Sequence, residues 1–255
     1  MEHFKNKHAL IVSFRENGFV LIPGFLDGDD VATIHGHLEK LIKDKVPSMP
    51  PEHVFYEDKN DPSTLKQLQN LYSYDPFFYE MMFRSRFKDL ASLLLEDEVV
   101  PKNMQYFNKP PKKGQATPPH QDGYYFMLDP NEAVTMWLGL EDVDPENGCV
   151  RYIKGSHRKG IRAHAKTQTL GFSQGISDFG TDDDKRDEVF FATKAGDLLV
   201  HHSLIIHRAD GNNSKHRTRK ALGLIYYAAR AKENTASKEK YQQQLVEEMK
   251  KKALI

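Results

Sequence analysis

The sequence predicts a mainly β fold, a sandwich or barrel with one face braced by helices. Two observations carry this. After about residue 98 the chain breaks into short β-rich runs separated by turn residues, over 99–108, 120–127, 133–143, 148–154, 189–192, 197–207 and 218–229, the texture of a sandwich or barrel. Ahead of them stand segments with helical signals, and helices that precede a block of strands pack as a brace on one sheet face. At 255 residues the chain suits one domain, since β sandwiches and barrels often reach that size undivided. It divides into a helical N-terminal part over 1–97, a β core over 98–229 and a C-terminal surface helix over 235–252.

Taken in order, residues 4–17 form a short helix stopped at Gly18, where a C′ glycine belongs. Phe19–Pro23 is a short apolar strand. Asp27 caps a helix over 28–44, with Asp29 and Asp30 at the positive end of its dipole. Residues 46–63 have no periodicity and read as a loop. Asp75 and Pro76 open a second helix over 76–95, with Phe78, Met81, Met82, Leu90, Leu93 and Leu94 on its buried face. The polar stretch 158–188 interrupts the strands, and long loops in compact domains are often lids. It is expected to cover the mouth of a site and select substrate. The tail helix carries Tyr241, Leu245, Val246 and Met249 as a thin apolar stripe.

Composition excludes several classes. Acids and bases balance at 36 each, so no global field recruits nucleic acid or a membrane. The single cysteine, Cys149, allows neither an intrachain disulfide nor a cysteine-rich zinc site. The first residues lack an apolar signal core and no apolar run spans a bilayer. A cytoplasmic protein is expected, a monomer or small homo-oligomer acting on a small molecule.

The chemistry concentrates in His120-Gln121-Asp122. On a strand, residues i and i+2 share a face, so one imidazole and one carboxylate can reach one point. A distant third ligand would complete the two-histidine, one-carboxylate triad of non-haem Fe(II) oxygen chemistry. His35, His37 and Glu39 match the spacing too, but lie within the 28–44 helix, where i and i+2 diverge; they read as surface positions. The third candidate is His207, which closes the apolar run 197–207. Alone, His207 would read as a hydrogen-bonded structural histidine. His202 is a rival placed in the middle of that run, where packing or support of a ligand suits it better. Beyond it, Arg217-Thr218-Arg219 enters an apolar strand. An arginine fork there suits a carboxylate, although the basic turn could equally be solvated. Trp137 shares its strand face with Thr135 and Gly139, which suits a cavity wall or a packed interior. Tyr124 and Tyr125 follow Asp122, so at least one aromatic should border the substrate, or else fill core. Arg158, Lys159, Arg162 and Lys166 could meet an anion or simply be solvated.

These segments together resemble the phytanoyl-CoA dioxygenase family of Fe(II)/2-oxoglutarate oxygenases. The matching text is Pro119-His120-Gln121-Asp122, Trp137, Glu141-Asp142, Glu146-Asn147-Gly148-Cys149, Gly155-Ser156-His157, Gly196-Asp197, His207 and Arg217-Thr218-Arg219. Asn147-Gly148 suits a tight hairpin turn. The resemblance implies a double-stranded β-helix (jelly roll) and a dioxygenase that hydroxylates a small-molecule C–H bond, releasing succinate and CO2. It implies Fe(II) on His120, Asp122 and His207, with 2-oxoglutarate and O2 as cosubstrates. Arg219 would anchor 2-oxoglutarate, with Lys66, Met104 and Trp137 as further contacts. Two positions depart from the family pattern. Ala209 stands where a serine is common, and Arg219 lies one residue farther from His207 than usual, while Arg217 lies one residue short. Related halogenases have Ala or Gly in place of Asp122, so the carboxylate favours oxygenation. A cupin-type jelly-roll metalloprotein (isomerase, hydrolase or sensor) that does not use 2-oxoglutarate is the alternative. The family spans acyl-CoA, osmolyte and phosphonate substrates, so the resemblance does not choose among them.

Overall fold

The structure is a computed structural model, and it describes residues 6–169 and 172–251. Residues 4 and 5 of the first expected helix, residue 252 of the last, and the side chain of Met249 lie outside what is described.

The N-terminal part holds helices α1 (Lys7–Asn17), α2 (Gly28–Asp44), α3 (Pro76–Phe83) and α4 (Arg86–Leu95) and strands β1 (Phe19–Ile22), β2 (Val54–Tyr56) and β3 (Leu65–Leu68). Then follow β4 (Val99–Lys109), β5 (Thr117–His120), α5 (Asp122–Phe126), β6 (Leu128–Asp129), β7 (Ala133–Gly139) and β8 (Val150–Ile153). The remainder comprises β9 (His164–Thr169), β10 (Phe172–Ile176), α6 (Asp182–Asp187), β11 (Glu188–Phe190), β12 (Leu198–His202), β13 (His207–Ala209), β14 (Arg219–Ala228), β15 (Lys232–Glu233) and α7 (Thr235–Lys251).

The expected jelly roll is present. A major sheet of seven strands, in order β1-β12-β7-β14-β4-β3-β2, faces a minor sheet of four, β11-β8-β13-β5. Burial on both faces of the major sheet follows from strand period two. On β7, Val134, Met136 and Leu138 enter the core beneath the helices, while Trp137 packs between the sheets with Tyr152, Leu199 and Ala221. The helices contribute Ile34, Leu38 and Leu41 from α2 and Leu90 and Leu94 from α4 to that outer core. Caps are as read: Asp27 accepts from the Asp30 amide and Asp75 from the Phe77 amide.

Several expectations are corrected. The expected strand at 19–23 is β1 (Phe19–Ile22), but the N-terminal part holds two further strands, since β2 and β3 also join the major sheet; β2 lies within the expected loop 46–63. The helix 76–95 is two helices, because Ser85 caps the second through the Phe87 amide. The run 197–207 is two strands in different sheets, β12 ending at His202 and β13 beginning at His207. Asn147-Gly148 does not turn a hairpin but links β7 of the major sheet to β8 of the minor one. Asn147 is fully buried and staples that link, donating to the Asp142 and Thr218 carbonyls. Among the described residues no helix is long and apolar enough to cross a membrane.

Candidate functional site

Residues 120–127 are not one strand. β5 stops at His120, and Asp122 opens the single turn of α5. The two side chains still converge, because Gln121 between them keeps an extended backbone, φ −124° and ψ 125°. His207 sits directly opposite His120 in the β13–β5 ladder. Histidine and carboxylate atoms of His120, Asp122 and His207 all lie within 4.8 Å of one another. Asp122 Oδ1 is 3.5 Å from His120 Nε2 and 3.7 Å from His207 Nε2.

The donor set fits a divalent cation. His120 Nδ1 lies 2.8 Å from the Pro118 carbonyl and His207 Nδ1 lies 3.2 Å from the Ile205 carbonyl. A carbonyl only accepts, so each δ nitrogen carries the proton and each ε nitrogen offers its lone pair. Burial, reinforced by His120 and His201, holds His207 well below the usual imidazole range. Burial pushes Asp122 up, but His207, His120 and His201 outweigh it and keep the carboxyl well below its ordinary range. A neutral imidazole and an ionised carboxylate are the ligand-competent forms.

Gln121, for which the sequence offers no role, is the hub of the site. Wholly buried, it donates to the carbonyls of Leu204 (2.6 Å) and Gly160 (2.8 Å) and accepts from the Arg162 amide (2.8 Å). It thereby ties the His120 turn to the crossing that delivers His207. Ser156 holds the same crossing by accepting from the Ile206 amide at 2.8 Å. The histidine beside Asp122 is His201, at 3.2 Å from Oδ2, not His202. His202 projects to the opposite side of β12, toward Phe14 and His157.

The three residues line a cavity of about 620 Å³ that also reaches Lys66, Lys109, Trp137 and Arg219. Arg219 is 4% exposed, and its Nε has no hydrogen-bond partner. Its guanidinium lies 5.4 Å from the Trp137 ring centroid. Among the described residues no carboxylate is within ion-pair distance of it. Burial brings Arg219 down to about 10, which leaves it charged at neutral pH. The other buried cations are occupied: Lys66 pairs with Glu57 at 3.3 Å, and Lys109 donates to the carbonyls of Gln115 and Asp210 at 2.7 Å each. Arg217, the competing arginine, ion-pairs outside with Asp144 and Glu146.

Other expected site residues need correcting. Met104 is fully buried in the helix-side core and does not line the cavity; its neighbour Gln105 does. Tyr124 stacks on His164 at 4.2 Å instead of facing the cavity, whereas Tyr125 lines it and donates to the Gln174 carbonyl. No described residue of 158–188 lines the cavity. Arg162 is consumed by Asp178 and Asp184, and the segment folds as the β9–β10 hairpin and α6. The mouth is instead walled by α7, through Lys238, Tyr241, Gln242, Leu245 and Val246, so this helix is more than surface. His35 and His37 bond to the Leu140 carbonyl and to Asp75 and form no cluster with Glu39.

A family profile described as phytanoyl-CoA dioxygenase matches residues 14–221. The chain is 30% identical over 185 residues to a phytanoyl-CoA dioxygenase of Arabidopsis thaliana, covering 67% of this chain and 64% of that one. It is 27% identical over 225 residues to the peroxisomal phytanoyl-CoA dioxygenase of Mus musculus, covering 82% and 64%. The chain thus spans a little under two thirds of the length of these relatives. Among solved structures, the epimerase SnoN in complex with Fe3+, alpha ketoglutarate and nogalamycin RO superposes with a TM-score of 0.71 at 21% identity, over 89% of this chain and 85% of that one.

Proposed function

The chain belongs to the phytanoyl-CoA dioxygenase family, and from that premise we propose that it is an Fe(II)- and 2-oxoglutarate-dependent dioxygenase that hydroxylates a small molecule. The observation that carries this is one cavity with two complementary ends. At one end stand two imidazoles and a carboxylate with their lone pairs turned inward. At the other stands a buried arginine without an anionic partner among the described residues. A buried cation is costly to leave unpaired, and an anionic cosubstrate at that end of the cavity would offset the cost.

In this reading His120 Nε2, Asp122 Oδ1 and His207 Nε2 hold Fe(II). Arg219 takes the distal carboxylate of 2-oxoglutarate, with Trp137 beneath the guanidinium and Lys66 nearby. Bound there, Fe(II) with 2-oxoglutarate and O2 supplies the oxidising chemistry, with succinate and CO2 released. The chain's part is to position and to keep water out. Arg219 and Trp137 fix the cosubstrate's far end, and the α7 wall closes the outer side over Tyr125, Phe126 and Tyr227. Asp122 fills the third protein position, which supports oxygenation over halogenation. The SnoN neighbour is an epimerase, so this fold also serves other outcomes.

Anaerobic titration of Fe(II)-loaded protein with 2-oxoglutarate should raise the weak visible charge-transfer band of the chelate. No band in protein that demonstrably holds iron would refute the proposal. Arg219→Ala should weaken the band's 2-oxoglutarate dependence while iron stays bound.

A further inference from the structure

Asp122 has two oxygens, and the structure treats them differently. Oδ1 faces His120 and His207. Oδ2 accepts from Thr135 Oγ1 at 2.6 Å and lies 3.2 Å from His201 Nε2. Thr135 and His201 are direct partners in the β7–β12 register, so both arrive from the inner face of the major sheet. The other nitrogen of His201 lies 3.0 Å from the hydroxyl of Tyr152, a side chain with no exposure. Only one proton arrangement satisfies this chain. Tyr152 donates to His201 Nδ1, and His201 Nε2 therefore carries hydrogen and donates to Asp122. The reverse tautomer would aim a lone pair at the carboxylate.

We propose that His201 and Thr135 are positioning residues that occupy Asp122 Oδ2 and so present a single oxygen, Oδ1, to the metal. The inference rests on the reading of His120, Asp122 and His207 as the ligand set. With Oδ2 engaged by two donors, the carboxylate cannot swing to bind through both oxygens. One-oxygen binding would leave positions open at a metal held there, as a two-histidine, one-carboxylate triad does. His201 does not qualify as a fourth ligand: among the described residues the mutually close group is His120, Asp122 and His207 alone. Tyr152 acts one step back by fixing the His201 tautomer.

Co(II) is the probe, because its visible absorption reports coordination number without turnover. Apo protein would be titrated with Co(II) for wild type, Thr135→Val, His201→Phe, His201→Gln and Tyr152→Phe, with unfolding midpoints as the check on folding. Thr135→Val and His201→Phe should each weaken Co(II) binding roughly 10- to 100-fold and alter the spectrum. His201→Gln, whose amide retains a donor at similar reach, should recover most of the affinity, and Tyr152→Phe should lose only a few-fold. His120→Ala separates the two readings. If it binds Co(II) as wild type does, the ligand set itself is wrong. If it abolishes binding while Thr135→Val and His201→Phe match wild type in affinity and spectrum, the positioning role is overturned. It is equally overturned if His201→Phe abolishes binding as fully as His120→Ala and Gln restores nothing, since His201 would then be a ligand.

Discussion

Replacing Arg219 by methionine should separate stability from binding in opposite directions. The guanidinium is buried, lies over Trp137, and has an Nε with no partner. Burial pulls it down to about 10, a displacement equivalent to about 3 kcal/mol against the folded state. The sign is that of a cation whose folded value is depressed: the penalty is full at neutral pH, fades as pH rises past the folded value of about 10 and is gone above the unfolded one. Methionine keeps an unbranched side chain over the indole and removes the charge. The ligand-free variant should therefore melt no lower than wild type, with a gain bounded by that figure. With 2-oxoglutarate present at 100 times its dissociation constant, the metal-loaded wild type gains about 2.7 kcal/mol, which is several degrees for a chain of this size. The variant should show no such shift and bind 2-oxoglutarate at least 100-fold more weakly. Differential scanning calorimetry with and without 2-oxoglutarate measures both effects. A variant that melts well below wild type yet still shifts with 2-oxoglutarate would refute the reasoning, because Arg219 would then be structural.

Three further outcomes follow from other sites. Burial, with His157 and His201 adding, draws His202 down to about 3. Stability should thus fall below pH 6.5 as the unfolded chain takes up the proton, by up to about 1.4 kcal/mol per pH unit until pH 3. His202→Asn, which can still accept from the Leu204 amide, should flatten that slope in urea denaturation. At Gly196, φ is +90° and an added Cβ would lie 2.2 Å from the Leu26 carbonyl oxygen; Gly196→Ala should cost about 2–4 kcal/mol by chemical denaturation. Gln121→Ala strands two carbonyls and the Arg162 amide. It should cost about 3 kcal/mol or more and weaken Co(II) binding; Gln121→Glu, which keeps an acceptor for Arg162 but turns a buried carboxylate oxygen toward the Leu204 and Gly160 carbonyls, should lose at least as much.

The parts of the fold written in local signals were legible. Helix caps at Asp27 and Asp75, the alternation along β7 and the turn residues before each strand are local, and the structure has them. His120, Asp122 and His207 stand out by spacing and by their place at strand ends, although the backbone reason is different for Asp122, which opens a helical turn, and for His207, which opens β13 instead of closing the run 197–207. What local signals cannot carry is which face of a strand ends up toward which layer. A shift of one residue reverses the face: Met104, which the family resemblance implies as a contact, enters the helix-side core while Gln105 lines the cavity, and His202 turns away while His201 meets Asp122. The same holds for Tyr124 and Tyr125, because the single helical turn of α5 was hidden in a strand-like sequence. The wall made by α7 was illegible for a stronger reason. Its apolar stripe is thin, and nothing in residues 235–251 records that they fold back across β14 and α5. The segment 158–188 is polar because it ties off its own charges, as Arg162 does with Asp178 and Asp184, not because it reaches a ligand.

The placement of Asp122 between two sheets has a mechanical consequence. His120 and His207 belong to the minor sheet, while the residues gripping the far oxygen of Asp122 hang from the major one. A cation seated among the three side chains would act as a clasp across the sandwich, in a chain whose lone cysteine can form no internal crosslink. The spacing between the sheets would then be set at the metal, and amide exchange along β5, β13, β7 and β12 would slow together when the clasp is shut.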